Sequence, residues 1–226
     1  MASKKAPAKL SQLDFQRMFR AVRDDINDLL LHNKVLVGVL EQLEKHEKFG
    51  INFPVFFTVV LSALRTDLVI RLGRVYDPEG TGHESCTLTR CLQTLRENPQ
   101  FFTDSAILAR LTPEYRAANK GFLSDHRLDL RQVEVDLARI AASRKRLINL
   151  RHKVYAHKDL ETVLSNKRDE LLSTHEEVVE LIRLAHEIWN RCSRIWSGST
   201  WSEKTIGEDD YEWLFSYVLR GMSARN

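Results

Sequence analysis

Arg151 and His157 stand with five residues between them in the stretch Arg151-His152-Lys153-Val154-Tyr155-Ala156-His157. This is the densest basic region of the 226-residue chain: from Arg139 to Lys158 there are seven Lys or Arg residues and no Asp or Glu. Arginine clamps phosphate with a planar fork of donors. Histidine moves a proton near neutral pH. A phosphate clamp and a proton carrier together suffice for RNA cleavage without a metal. The bland alternative is that Arg144 and Arg151 lie along the edge of a helical bundle or pair with carboxylates of a neighbouring helix. His157 then becomes a helix-capping histidine.

These residues must be positioned by a long helix. On a heptad grid one seam reads Val133, Ile140, Leu147 and Val154, and the adjacent seam reads Leu130, Leu137, Arg144 and Arg151. The second seam turns from apolar to cationic halfway along, which predicts one wall of a groove. Arg139, Arg146 and Lys153 form a separate stripe, expected to be mostly solvated. It cannot share a small pocket with Arg151, but it can track an RNA backbone. On an ideal helix His157 lies roughly 9 Å along the axis and about 120° around from Arg151. The two converge if the helix ends near His157, or if a two-fold dimer brings two copies of the motif together. At a helix C-terminus His157 would also feel the negative end of the dipole, which favours imidazolium.

The rest of the pattern is helical. Ser11, with Asp14 three residues on, signals a helix start. Phe15, Met18, Val22, Ile26, Leu29, Leu36, Leu40 and Leu43 recur at helical spacing, predicting a helix to about Lys48, with a break near Asn33 open and Gly50 as its stop. Asn52 and Pro54 start the next. Val55 to Val75 is apolar almost all round, which predicts the central buried helix of a bundle. Asp77 to Gly82 reads as a loop. Shorter helices follow around Leu88, Leu92 and Leu95, ending at Asn98-Pro99, and after Thr112-Pro113. The motif helix begins near Asp125 or Asp129. Ser173 with Glu176 forms the expected capping box of the last long helix, read from Val178 to Trp196. Ser197 to Asp210 is a loop, and Tyr211, Leu214, Phe215 and Val218 predict a short C-terminal helix. The expected fold is an all-α bundle of four main helices with short extra helices. Residues 1–10 are read as a disordered basic tail, 11–197 as the helical domain, and 198–226 as a loop and short helix packed on it.

Composition narrows the function. With 43% hydrophobic content the chain can bury one core. A net charge of +3 is mild, so a nucleic-acid role rests on a local patch. Cys86, Cys91 and Cys192 lack metal-ligand spacing and fit reduced thiols of a cytoplasmic protein. No signal peptide is read at the N-terminus, and the apolar run from Phe53 to Leu64 is too short to span a bilayer. His83, His126, His175 and His186 are scattered, and neither a metal site nor a two-metal carboxylate pair is expected.

The Arg-x5-His arrangement, with a polar residue directly after the Arg, resembles the HEPN superfamily (higher eukaryotes and prokaryotes nucleotide-binding domains). The context Ile148-Asn149-Leu150-Arg151-His152-Lys153-Val154-Tyr155-Ala156-His157-Lys158-Asp159 looks most like its AbiU-type branch, which is associated with abortive infection and phage defence. Ile70-Arg71-Leu72-Gly73-Arg74-Val75-Tyr76-Asp77-Pro78, followed by a loop and Glu84-Ser85-Cys86-Thr87-Leu88, is similar to a second passage of that branch. The resemblance runs from about Pro54 to Trp189. It implies a HEPN-like bundle and a cofactor-free, metal-independent endoribonuclease acting as a homodimer, a toxin or defence effector with an antitoxin or other partner protein. By position, Arg151 would bind the scissile phosphate and His157 would be general base or acid at the 2′-hydroxyl. Arg144, His152, Lys153 and Lys158 would contact RNA. His152 departs from the Asn common at its position, and Tyr155 precedes the histidine where tyrosine-modified HEPN toxins carry one after it. The competing readings are a non-catalytic helical module that binds RNA or a protein, and a dimerisation domain that docks through Trp201, Tyr211, Trp213, Phe215 and Tyr217. Those aromatics are expected instead to pack on the bundle.

Overall fold

A computed structural model describes residues 10–77, 86–118, 127–151, 168–202, 204 and 208–223. Among these every regular element is helical. Four long helices dominate: α1 (Gln12–Lys45), α3 (Pro54–Tyr76), α7 (Leu130–Arg151) and α8 (Arg168–Ser197). The short helices are α2 (Glu47–Asn52), α4 (Leu88–Glu97), α5 (Asp104–Arg110), α6 (Pro113–Ala118) and α9 (Asp210–Ser223), with one 3-10 turn, Pro99–Phe102. No helix among the described residues is long and apolar enough to cross a membrane.

The helix starts follow local chemistry. Ser11 Oγ accepts from the Asp14 N–H at 3.1 Å, satisfying a donor that the helix leaves open. Thr87 caps α4, and Thr103 caps α5, a helix the apolar spacing did not predict. Asp129 opens α7: its carboxylate accepts from the Arg131 N–H at 2.9 Å. At the other end of α8, Gly198 adopts φ 72° and its N–H returns to the Arg194 carbonyl, a left-handed stop that glycine accepts without strain.

Four expectations about elements are corrected. α1 ends at Lys45, and Gly50 lies inside α2 instead of stopping a helix. Asn52 closes α2, so Pro54 alone opens α3. Ser173 lies within α8, not at its cap, because no Pro or Gly interrupts the run of helix-forming residues from Arg168. The fourth concerns α3. Its buried residues are confined to the second half, from Leu68 to Tyr76. In the first half Val55 is 75% exposed and Val59 62%, Phe56 is exposed as well, and so is Phe53, just before the helix. An all-round apolar pattern says a helix can be covered on every side, not that the fold supplies a neighbour on every side.

The main core joins α1, α3, α4, α7 and α8. Its densest part is aromatic: the Phe19 and Trp189 ring centroids lie 3.7 Å apart, and Phe15 meets Trp196 at 4.8 Å and Phe102 at 5.9 Å. Tyr76 donates its buried hydroxyl to the Leu181 carbonyl at 2.7 Å, which ties the end of α3 to α8. A second, smaller core docks α9: Phe215 stacks on Phe57 at 5.7 Å and packs with Val39. Tyr211 lies on Gly38 of α1, where a Cβ would collide with its ring. Thus Phe215 and Tyr211 pack on the bundle as expected, while Trp213 and Tyr217, each 64% exposed, do not. Cys86, Cys91 and Cys192 are free thiols.

Candidate functional site

The motif helix α7 is held against α8 by charge. Val133, Ile140 and Leu147 are buried, as the first seam predicts, while Val154 lies outside the described residues. The second buried line is not Leu130, Leu137 and Arg144. It is Asp136, at 2% exposure, and Ser143. Leu130 is exposed and Leu137 only partly buried. A buried carboxylate is tolerated only when its charge is met. Arg191 of α8 meets it with two bonds, Nε to Oδ2 at 2.9 Å and Nη2 to Oδ1 at 2.6 Å, and Gln132 donates a third. Arg191 also reaches Glu187 at 2.7 Å, and Arg139 binds both Glu187 oxygens at 3.0 and 3.1 Å. The hydrogen bonds from Arg139 and then Arg191 hold the Glu187 carboxyl down to about 2.

Further along, Arg146 pairs with Glu180 at 2.8 Å. The stripe of Arg139 and Arg146 stays partly exposed, and its guanidiniums also reach carboxylates of α8. Both cations are spent on α8, and Lys153, its third member, lies outside the described residues. The partners 139 with 187 and 146 with 180 run in opposite directions along the two helices, so α7 and α8 are antiparallel.

Arg144 is different. It is half-buried beside the Ile140–Leu147 seam, and among the described residues no carboxylate pairs with it. Arg151 is the last residue of α7, two helical turns on from Arg144 and on the same face, about 10.5 Å along the axis. His152, Lys153, His157 and Lys158 lie outside the described residues.

The antiparallel register puts the end of α7 beside the first turns of α8. There His175 is half-buried, and burial, with the positive charge of Arg65 on α3 second, holds its imidazole below the ordinary value. Arg65 and His175 thus stand at the same end of the bundle as Arg151. The first half of α3 begins at that level: Phe57, Leu61 and Leu64 pack inward, while Val55, Phe56 and Val59 are exposed. Apolar periodicity had no means of finding this pair, since both residues interrupt otherwise unremarkable helix faces.

One turn and a half along α3 is Arg71, within the second motif passage. Its guanidinium meets Asp67 and Asp28, each at 2.6 Å, and Asp25 at 3.4 Å, while Arg74 reaches Asp25 at 3.2 Å. His32 Nδ1 lies 2.6 Å from Asp67. Asp25 is buried, and desolvation raises its carboxyl despite Arg74 and Arg71. This passage clamps α3 to α1. Among the described residues no group of His, Cys, Asp and Glu is arranged to hold a metal ion.

Compared with known families, residues 12–213 match the family model HEPN_AbiU2, described as AbiU2. No curated protein and no solved structure matches the chain.

Proposed function

The chain belongs to the AbiU2 family of HEPN domains, and from that premise we propose that it is a metal-independent endoribonuclease of an abortive-infection or toxin system. The observation that carries this reading is the Arg151…His157 spacing at the end of α7, in a stretch without a single acidic residue. Arg151 grips the scissile phosphate and stabilises the charge that develops on it. His157 acts as general base or acid at the 2′-hydroxyl. The 2′-oxygen attacks phosphorus, the bond to the 5′-oxygen breaks, and the 5′-oxygen leaves with a proton. The products are a 2′,3′-cyclic phosphate and a 5′-hydroxyl end. Arg144, which no described carboxylate neutralises, and His152, Lys153 and Lys158 bind the flanking strand.

A homodimer completes the site in this reading. On one helix the two groups are too far apart to act on one phosphate without a helix end or a second copy. The exposed apolar half of α3, at the same end of the bundle, is the face we assign to that second copy.

The direct experiment is RNA cleavage in EDTA with analysis of product ends. Cleavage leaving a cyclic phosphate, lost in both Arg151→Ala and His157→Ala, is the expected result. Activity that persists in both variants belongs elsewhere. A second reading, a non-catalytic RNA- or protein-binding module, is favoured by one observation: Arg139 and Arg146 are already neutralised by α8. Binding without cleavage across a broad RNA panel selects it.

A further inference from the structure

Arg139 meets Glu187 and Arg146 meets Glu180, so each step along α7 matches a step back along α8. Five residues beyond Arg146 on α7 is Arg151, and five residues before Glu180 on α8 is His175. The two positions are therefore level across the helix pair. His175 also continues a buried line of α8: it lies one turn before Val178 and two before Ile182, both in the core. Its side chain is half-buried where that line reaches the end of the bundle. Arg65 holds the matching place on α3, one turn before Val69 and two before Leu72, both buried. It is exposed, and no carboxylate pairs with it among the described residues.

A histidine at the edge of a core is most simply a packing residue. The surroundings of this one argue for more. His32 Nδ1 lies 2.6 Å from Asp67, and His186 Nε2 lies 3.2 Å from the Trp201 carbonyl. Among the described residues no such bond fixes the ring of His175. Burial first, and the charge of Arg65 second, disfavour its imidazolium, while Glu176 beside it on α8 opposes them. A neutral imidazole offers a ring nitrogen that accepts a proton. Cleavage through the 2′-hydroxyl needs two proton transfers on opposite sides of phosphorus, one off the 2′-oxygen and one onto the departing 5′-oxygen. A single imidazole cannot stand on both sides at once.

We propose that His175 is the second proton carrier of the site at the end of α7, the base that takes the 2′-hydroxyl proton. This rests on the ribonuclease reading and completes it with a residue outside the Arg-x5-His motif. The neutral His175 takes the proton, the 2′-oxygen bonds to phosphorus, and the bond to the 5′-oxygen breaks. His157, as imidazolium, gives its proton to the departing 5′-oxygen. The two histidines have then exchanged protonation states, and protons and charge balance. Arg65 keeps His175 neutral and adds a cation for the phosphate.

Single-turnover cleavage of a defined RNA by the full chain, followed from acidic to neutral pH, tests this. His175→Gln and His175→Asn are both made, and a thermal melt checks that each folds. A folded variant is expected to lose a factor of about 10²–10⁴ in rate and, with it, the rise of rate with pH on the acidic side. A second substrate carries sulfur in place of the scissile 5′-oxygen, a leaving group that needs no proton. On it His157→Ala is expected to regain activity and the His175 variants are not. A folded His175 variant that cleaves like wild type overturns the proposal. So does one that is slower but keeps the wild-type pH profile, which marks a packing role, or one that the sulfur substrate rescues, which makes His175 the acid. A wild type that cleaves no RNA rejects the ribonuclease reading and this proposal together, whereas an active wild type beside an equally active His175 variant rejects this proposal alone.

Discussion

At the scale of single residues, the same chemistry, arginine beside a chain of carboxylates or beside none, separates structural cations from candidate functional ones. Arg139, Arg146 and Arg191 are committed to Glu187, Glu180 and Asp136. Arg144 is not committed to any described carboxylate. Two predictions follow at this scale. In the ribonuclease reading, His157→Ala lowers the cleavage rate by a factor of about 10²–10⁴, the contribution of a positioned proton carrier; single-turnover kinetics measures it, and a rate like wild type removes His157 from the mechanism. The second prediction concerns Glu187. Its carboxyl titrates at about 2 in the fold against an ordinary 4.5. Because the folded value is the lower one, the folded state binds fewer protons, and the stabilisation is fully present above about 4.5 and lost as pH falls toward about 2. Glu187→Gln should therefore lower the melting temperature at neutral pH, with the gap to wild type closing over that acidic window. A gap that stays constant with pH would assign the effect to packing instead of charge.

At the scale of elements, the docking of α9 rests on one missing side chain. Gly38 in the middle of α1 leaves room for the Tyr211 ring, and that seat places Phe215 against Val39 and Phe57. On helix propensity alone Gly38→Ala gains up to about 1 kcal/mol. The new Cβ, however, meets ring atoms of Tyr211, and overpacking costs about 1–3 kcal/mol, with the burial of Phe215, about 1.5–3 kcal/mol, at risk if α9 lifts. The loss wins. Gly38→Ala is expected to destabilise the chain by roughly 1–3 kcal/mol and to open the 208–223 segment to proteolysis. A variant more stable than wild type in denaturant titration would show that Tyr211 is not seated there. The motif helix shows the converse arrangement. α7 is held in its first half by buried Asp136 and the Arg191–Glu187–Arg139 chain and further on by the Arg146–Glu180 pair, so Arg151 ends a firmly registered helix.

At the scale of the whole molecule, the end of the bundle that carries Arg151 also carries Arg65, His175 and the exposed apolar residues Val55, Phe56 and Val59 of α3. In the dimer reading these are one surface. Val59→Asp puts a charge in its middle, at a side chain that is exposed in the single chain and so need not disturb folding. The wild type is expected to be a dimer at micromolar concentration by light scattering, and the variant a monomer with reduced cleavage. A monomeric wild type rejects the dimer outright, and a dimer that Val59→Asp leaves intact places the interface on another face.

The sequence alone determined what is local. A helix start needs a side-chain oxygen two or three residues before an open N–H, so Ser11 could be read directly and Asp129 stood as one of two candidate starts. The buried faces of α1 and α7 follow from a spacing of 3.6 residues, and Phe15, Val22, Ile26, Val133, Ile140 and Leu147 are buried as that spacing requires. The family was legible for a related reason: Arg151-x5-His157 and the Arg71 passage are contiguous strings. What is non-local was decided only by the tertiary structure. Whether Arg139 faces solvent or Glu187 depends on which helix lies alongside, and charge alone does not name a partner 48 residues away. Asp136 reads as a polar position until Arg191 is found opposite it. The apolar α3 reads as a buried helix until its neighbours are seen to cover half of it. The Arg23 guanidinium of α1 lies over the Trp201 ring at 5.1 Å, across most of the chain, a juxtaposition that no periodicity encodes, because burial and charge pairing depend on neighbours in space and sequence patterns record only neighbours along the chain.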